Sequence, residues 1–157
     1  MKMGHNKATR KRIIMPKTVL TIDDDTAITE LLAMLLRTHG YEVKTANNGE
    51  EGVKAIRELD PHVVILDLMM PGMDGWKVCK QVRAFSNVPI VILSALDDPA
   101  MIASALDAGA DDYLVKPVSS SILVAHLNRL IRRTGTLEAP NGNGSSIRSS
   151  STQPQTP

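Results

Sequence analysis

Short apolar runs of four or five residues recur along the chain, each followed by a polar break and then by apolar positions at helical spacing. "TVLTI" (18–22) and "HVVIL" (62–66) are the clearest. Neither alternates strictly between apolar and polar, and a run that is apolar on both sides of the pleat belongs to a strand covered on both faces. "PIVIL" (89–93) has the same form, with Pro89 tolerated because it opens the run. "YEVKT" (41–45) and "DYLV" (112–115) are strand-like through their β-branched and aromatic residues.

The segments between them read as helices. Ile28, Leu31, Leu32, Leu35 and Leu36 share one helical face, with Asp25 or Thr26 as N-cap and Gly40 beyond the end. Asn48 and Glu51 form a capping pair for a short helix reaching about Leu59, and a third helix covers Trp76–Ala84. Asp98 and Pro99 suit the N-cap and first turn of a helix that Gly109 closes. Ser119 or Ser120 caps the last one, in which Leu123, Leu127, Leu130 and Ile131 fall on one side.

Alternation of five strands with five helices predicts an α/β fold, a doubly wound parallel sheet joined by right-handed crossovers. The expected domain is 18–133. Residues 134–157 are rich in Ser, Gly, Pro, Asn and Gln, with too little apolar surface to offset the entropy of ordering, and are expected to be a disordered tail or linker. A chain of 157 residues leaves no room for a second full domain.

Composition adds three limits. Aromatics are 3 % of residues against 43 % hydrophobic overall, a balance that suits α/β layers better than an aromatic-rich sandwich. No apolar stretch is long enough to cross a bilayer and no signal-peptide core is present, so a soluble, cytoplasmic protein without membrane partners is expected. The single cysteine, Cys79, lies near Val78 and Val82 at helical spacing and reads as a buried small hydrophobe.

Charge is unevenly spread. Residues 1–17 carry six Lys or Arg and no carboxylate, while 134–157 balance Glu138 against Arg148, so the net +1 of the whole chain leaves −5 on 18–133. The leader has neither aromatics nor an amphipathic period, which favours a solvated disordered extension over a nucleic-acid contact. A start at Met15 would remove most of it.

In a doubly wound sheet ligands sit outside the carboxyl ends of the strands, where strand order reverses. Asp23 and Asp24 directly follow the first strand and Asp67 the third, so three carboxylates converge if those strands are neighbours. Two such charges about 4 Å apart repel by roughly 4 kcal/mol at an effective dielectric of 20. A hard divalent cation such as Mg²⁺ is the economical remedy; protonation of one acid is the alternative. Asp25 needs no more than its place at a helix N-terminus. Ser94 ends the fourth strand and Lys116 the fifth, a hydroxyl and an ammonium where a phosphoryl group on Asp67 would place its oxygens.

"TIDDD", "VVILDLMMPGMDG", "PIVILSA" and "AGADDYLVKP", in this order and spacing, resemble the receiver domain of two-component response regulators. The resemblance implies a flavodoxin-like fold with strand order 2-1-3-4-5, an order known for one member of this family and not read from the chain itself. It further implies that Asp67 is the phosphoacceptor, that Asp23, Asp24, Asp67 and the backbone carbonyl of Met69 hold Mg²⁺, and that Ser94 and Lys116 contact the phosphoryl group. The Lys116–Pro117 bond would be cis, and Tyr113, three residues before Lys116, would be the switch aromatic. The donor would be a sensor histidine kinase or phosphotransfer protein. The receiver would be no enzyme in the ordinary sense, though it would assist its own phosphorylation and dephosphorylation.

Two positions depart from relatives that dimerise through salt bridges on the last helix: Ile122 and His126 stand where a Glu and an Arg are common. A phosphorylation-dependent homodimer would therefore use a more apolar contact. Met69 and Leu96 flank the approach of water to a phosphorylated Asp67, and neither can orient that water, so a long-lived phosphorylated state is expected.

Competing readings are weaker. A phosphatase of the haloacid dehalogenase type wants a second acid two residues after the nucleophile, where Met69 stands. A nucleotide or flavin module wants a glycine-rich loop after the first strand, and "DDDTA" has no glycine. Two outputs are weighed: a stand-alone receiver that binds a downstream protein partner, which is the simplest reading, or, as the alternative, the receiver portion of a DNA-binding regulator. In neither does the receiver itself bind nucleic acid.

Overall fold

The computed structural model describes residues 15–135. The expected disordered leader and tail fall mainly on 1–14 and 136–157, outside the described residues.

Ten elements alternate along the chain: β1 (Thr18–Ile22), α1 (Thr26–Thr38), β2 (Glu42–Ala46), α2 (Gly49–Leu59), β3 (Val63–Leu66), α3 (Gly75–Arg83), β4 (Ile90–Ser94), α4 (Pro99–Asp107), β5 (Asp112–Val115) and α5 (Ser120–Gly135). The strands form one parallel sheet in the order β2-β1-β3-β4-β5. Fold class and strand order agree with expectation. No helix among the described residues is long and apolar enough to cross a membrane.

Alternation along each strand divides the core in two. Leu20, Ile22, Leu66, Ile90 and Ile92 meet Val53 and Ile56 of α2, Val78 and Val82 of α3 and Ala105 of α4. Val19, Ile65, Val91 and Leu93 point the other way, against Ala33 and Leu36 of α1 and Leu123, Leu127 and Leu130 of α5. Helices on both faces explain why β3 and β4 are buried at every position.

Boundaries move by a residue or two. β2 begins at Glu42, whose N–H bonds the Lys17 carbonyl at 3.0 Å, while Tyr41 packs in the core before the strand with its hydroxyl on Asn128 of α5. Asp25, not Thr26, caps α1, its carboxylate accepting from Ala27 N–H at 3.0 Å. α3 starts at Gly75 because Asp74 caps it. Asn48 caps α2 through Glu51 N–H at 2.8 Å, and the Glu51 carboxylate reaches back to Asn47 N–H rather than to Asn48. α5 runs two residues past the expected boundary at 133.

One side chain holds three segments together. Arg83, at the end of α3, donates to the carbonyls of Gly109, Ser86 and Val88 at 2.9, 3.1 and 2.8 Å and to the Asp111 carboxylate at 2.8 Å. Asp111 in turn accepts from Ile90 N–H, which begins β4. Because several acceptors depend on one planar guanidinium, Arg83→Ala should lower stability by about 2–3 kcal/mol, and Arg83→Lys should restore only part of it. A urea midpoint for Arg83→Ala equal to wild type would contradict this.

Candidate functional site

β1 and β3 are neighbours, and the chain leaves β1 for β2 on one side while β3 lies on the other, so the order in which strands are added reverses between them. Asp23 and Asp24 follow β1, and Asp67 follows β3 with its N–H on the Ile22 carbonyl at 2.9 Å. One carboxylate oxygen from each of Asp23, Asp24 and Asp67 lies within 4.8 Å of the others. The convergence expected from strand adjacency is therefore present.

Asp23 is 5 % and Asp67 8 % exposed, whereas Asp24 is open to solvent. Burial, followed by the charge of Asp23, pushes the Asp67 carboxyl above its ordinary range. Lys116 and backbone hydrogen bonds from Met69 and Leu68 pull the other way without cancelling the rise. The site thus holds more negative charge than its own cation neutralises.

Lys116 follows β5 and its ammonium pairs with Asp23 at 3.1 Å, not with Asp67. The Lys116 N–H bonds the Ser94 carbonyl at 2.8 Å, which ties the ends of β4 and β5, and the Lys116–Pro117 peptide is cis. Ser94, almost fully buried, is the last residue of β4; its hydroxyl accepts from Leu96 N–H at 3.3 Å. Tyr113 is half-buried and donates to the Leu96 carbonyl at 2.7 Å. Ser94 and Tyr113 are thus linked through Leu96.

Three contributors were not legible beforehand. Asn47, after β2, donates to the Asp23 carbonyl at 3.0 Å and to Thr29 Oγ1 at 3.2 Å, fixing the loop that carries the acids. Gly75 lets the start of α3 lie against the Asp67 loop: a Cβ there would stand 2.5 Å from the Asp67 carbonyl oxygen and 2.8 Å from Leu68 Cα. Asp112, on β5, accepts from His126 and, at 2.7 Å, from Arg129, both on α5. Arg129, one turn beyond His126, was the available signal for that last pairing.

Three oxygen donors, two of them buried and one without a hydrogen-bond or ion-pair partner among the described residues, suit a hard, partly hydrated cation. A soft or thiolate-bound metal is not indicated: Cys79 is buried in the core, its thiol pushed up to about 11 by desolvation.

Fold and site together define a doubly wound α/β domain with an acidic crevice at its switch point. The family model for the response regulator receiver domain matches residues 19–128, and the chain belongs to that family. It is 41 % identical over 116 residues to the transcriptional regulatory protein AfsQ1 of Streptomyces coelicolor, covering 74 % of this chain and 52 % of that one. It is 42 % identical over 119 residues to the DNA-binding response regulator MtrA of Mycobacterium tuberculosis, covering 76 % and 52 %. The chain spans about half the length of these curated relatives.

Among solved structures, a putative response regulator from Chloroflexus aurantiacus superposes with a TM-score of 0.72 at 38 % identity, over 76 % of this chain and all of that one. The BeF3-activated N-terminal receiver domain of Klebsiella pneumoniae RstA gives 0.71 at 31 %, over 74 % and 99 %. The expectation of a receiver domain drawn from the sequence is met.

Proposed function

We propose that the chain is a phosphoacceptor switch in which Asp67 receives a phosphoryl group from a histidine of a sensor kinase or phosphotransfer protein. The observation that carries this reading is the excess of carboxylate charge around Asp67, a buried acid held beside two others. An Asp67 carboxylate oxygen attacks phosphorus, the phosphorus–nitrogen bond breaks, and the donor imidazole leaves with the electron pair. Mg²⁺, held by Asp23, Asp24, Asp67 and the Met69 carbonyl, would neutralise charge on the transferring oxygens. Lys116 is poised to exchange its pairing with Asp23 for one with the new phosphoryl group, and Ser94 to donate its hydroxyl.

The donor is received beside the crevice, where an apolar groove between α1 and α5, lined by Ile28, Leu31, Leu35, Pro117 and Val118, opens next to Lys116. On the output side, withdrawal of Ser94 toward phosphate leaves space for Tyr113 and alters the surface of α4, β5 and α5. The phosphate biases an equilibrium between two arrangements of that surface rather than building a new one.

Incubation with acetyl phosphate and Mg²⁺, followed by intact mass, tests the reading. Wild type should gain one phosphoryl group and Asp67→Asn none. Equal labelling of both would overturn it.

The altered surface has an apolar character that fits a phosphorylation-dependent homodimer: Met101, Leu106, Val115 and Ile122 are exposed across α4, β5 and α5. Asp112 already pairs with His126 and Arg129 of its own chain, so it is not a free acid for a partner's arginine. Sedimentation with beryllofluoride should show dimer for wild type and monomer for Ile122→Glu; monomer for both would contradict the proposal. Similarity to a transcriptional regulatory protein, AfsQ1, and a DNA-binding response regulator, MtrA, favours the second output, in which such a receiver drives a DNA-binding domain.

A further inference from the structure

Two adjacent methionines follow the Asp67 strand and meet opposite environments. Met70 is 6 % exposed and belongs to the core with Leu66 and Leu68, whereas Met69 is 60 % exposed. Met69 stands two residues after Asp67 in the loop that leaves β3, and its backbone N–H pulls the Asp67 carboxyl down against the rise from burial, which sets the residue beside the acidic crevice. Leu96 lies two residues past the end of β4, its N–H and carbonyl taken by Ser94 and Tyr113. The side chain two residues after Asp67 is therefore a thioether open to solvent.

We propose that Met69 is an oxidation site through which peroxide shortens the lifetime of phosphorylated Asp67. This rests on Asp67 being the phosphoacceptor. The sulfur lone pair attacks one oxygen of hydrogen peroxide, the O–O bond breaks, and the departing hydroxide is protonated to water. Sulfur is oxidised by two electrons to the sulfoxide and the peroxide is reduced. The product replaces a poor hydrogen-bond acceptor with a strong, polar S=O oxygen at the same place on the rim.

That oxygen can hold a water beside the phosphoryl group, which the thioether cannot. Attack of the held water on phosphorus breaks the bond to the Asp67 oxygen and releases inorganic phosphate, leaving the carboxylate as it began. Positioning of a water in this way contributes to rate through orientation and proton acceptance. The sulfoxide is open to enzymatic reduction, which makes the effect reversible.

Met15 and Met34 are more exposed than Met69, so peroxide will oxidise them too, but neither adjoins the crevice. The experiment therefore compares chains rather than doses. Wild type and Met69→Leu are each divided, one half treated with hydrogen peroxide and then freed of it. All samples are phosphorylated with acetyl phosphate and Mg²⁺, desalted, and followed by intact mass while the phosphate is lost, with peptide mapping to locate sulfoxide.

Treated wild type should lose phosphate at least threefold faster than untreated. Met69→Leu should decay at one rate with and without peroxide, and untreated Met69→Gln, which carries an amide oxygen near the same place, should decay faster than untreated wild type. Mapped sulfoxide at Met69 with an unchanged decay rate overturns the proposal, as does a peroxide effect that persists in Met69→Leu. If untreated wild type takes up no phosphate, the assignment of Asp67 fails first and the proposal falls with it.

Discussion

Replacing Gly75 by alanine should cost the fold about 2–4 kcal/mol and slow phosphorylation of Asp67 at the same time. The new methyl would sit 2.5 Å from the Asp67 carbonyl oxygen and 2.8 Å from Leu68 Cα, both backbone atoms that no rotamer change can move. Gly75 N–H also bonds the Leu68 carbonyl at 2.9 Å, so α3 cannot retreat without giving up that bond. The strain falls on the residue proposed to take the phosphoryl group. Gly72→Ala is the control: its φ of +77° makes a side chain unfavourable by roughly 1 kcal/mol, but nothing lies within 4 Å of the added atom. Urea unfolding together with the rate of labelling by acetyl phosphate separates the two variants. A Gly75→Ala protein within about 0.5 kcal/mol of wild type would show that the α3 start is less tightly fixed than the geometry requires.

Gly75 also marks where the sequence stops being informative. The strands were legible because β1, β3 and β4 lie under helices on both faces, and double burial writes itself as an uninterrupted apolar run. The edge strands were less so: β2 and β5 each bury fewer positions, and β2 was displaced by one residue because Tyr41 is apolar for a contact with α5 rather than for the sheet. The three acids were legible because they follow two apolar runs, Asp23 and Asp24 after β1 and Asp67 after β3, and strand endings share one edge of a parallel sheet.

Contacts set by side-chain reach were not. Arg83 joins residues far apart in sequence, and nothing in the periodicity of α3 distinguishes it from Lys80 one turn earlier. The partner of Lys116 was likewise open, since an ammonium at the sheet edge could reach Asp23 or Asp67. The structure gives it to Asp23, at 3.1 Å. The pairing of Arg129 with Asp112 was not legible either, since nothing in the periodicity of α5 sets Arg129 apart from Arg132 and Arg133.

That division of charge leads to an expectation about stability. Without metal, Asp67→Asn should be more stable than wild type at neutral pH by about 1 kcal/mol or more. Two unit charges 4.8 Å apart, the upper limit of the separations in the cluster, repel by roughly 3 kcal/mol at an effective dielectric of 20, before Lys116 offsets part of it. The sign follows from the direction of the Asp67 shift. A carboxyl whose folded value is raised binds its proton more tightly in the folded state, so stability is lost as pH climbs from the unfolded value through the raised one. Below both values the group is neutral in both states and the wild-type deficit disappears.

Mg²⁺ should reverse the order. A ligand that binds only the folded state stabilises it by about 2.7 kcal/mol at a hundredfold excess over its dissociation constant. Wild type, with three anionic oxygens, should approach that figure; the variant, with a neutral amide in place of one of them, should gain much less at the same concentration. The two stability curves should therefore cross as Mg²⁺ is added at pH 7, and they should not cross when Ca²⁺-free, Mg²⁺-free buffer is matched with added monovalent salt at equal ionic strength. Urea unfolding across a Mg²⁺ series reads this directly. A wild type that is already the more stable protein without metal would mean that Lys116 and the backbone amides neutralise the crevice unaided, and that the cation is not needed to offset the repulsion among Asp23, Asp24 and Asp67.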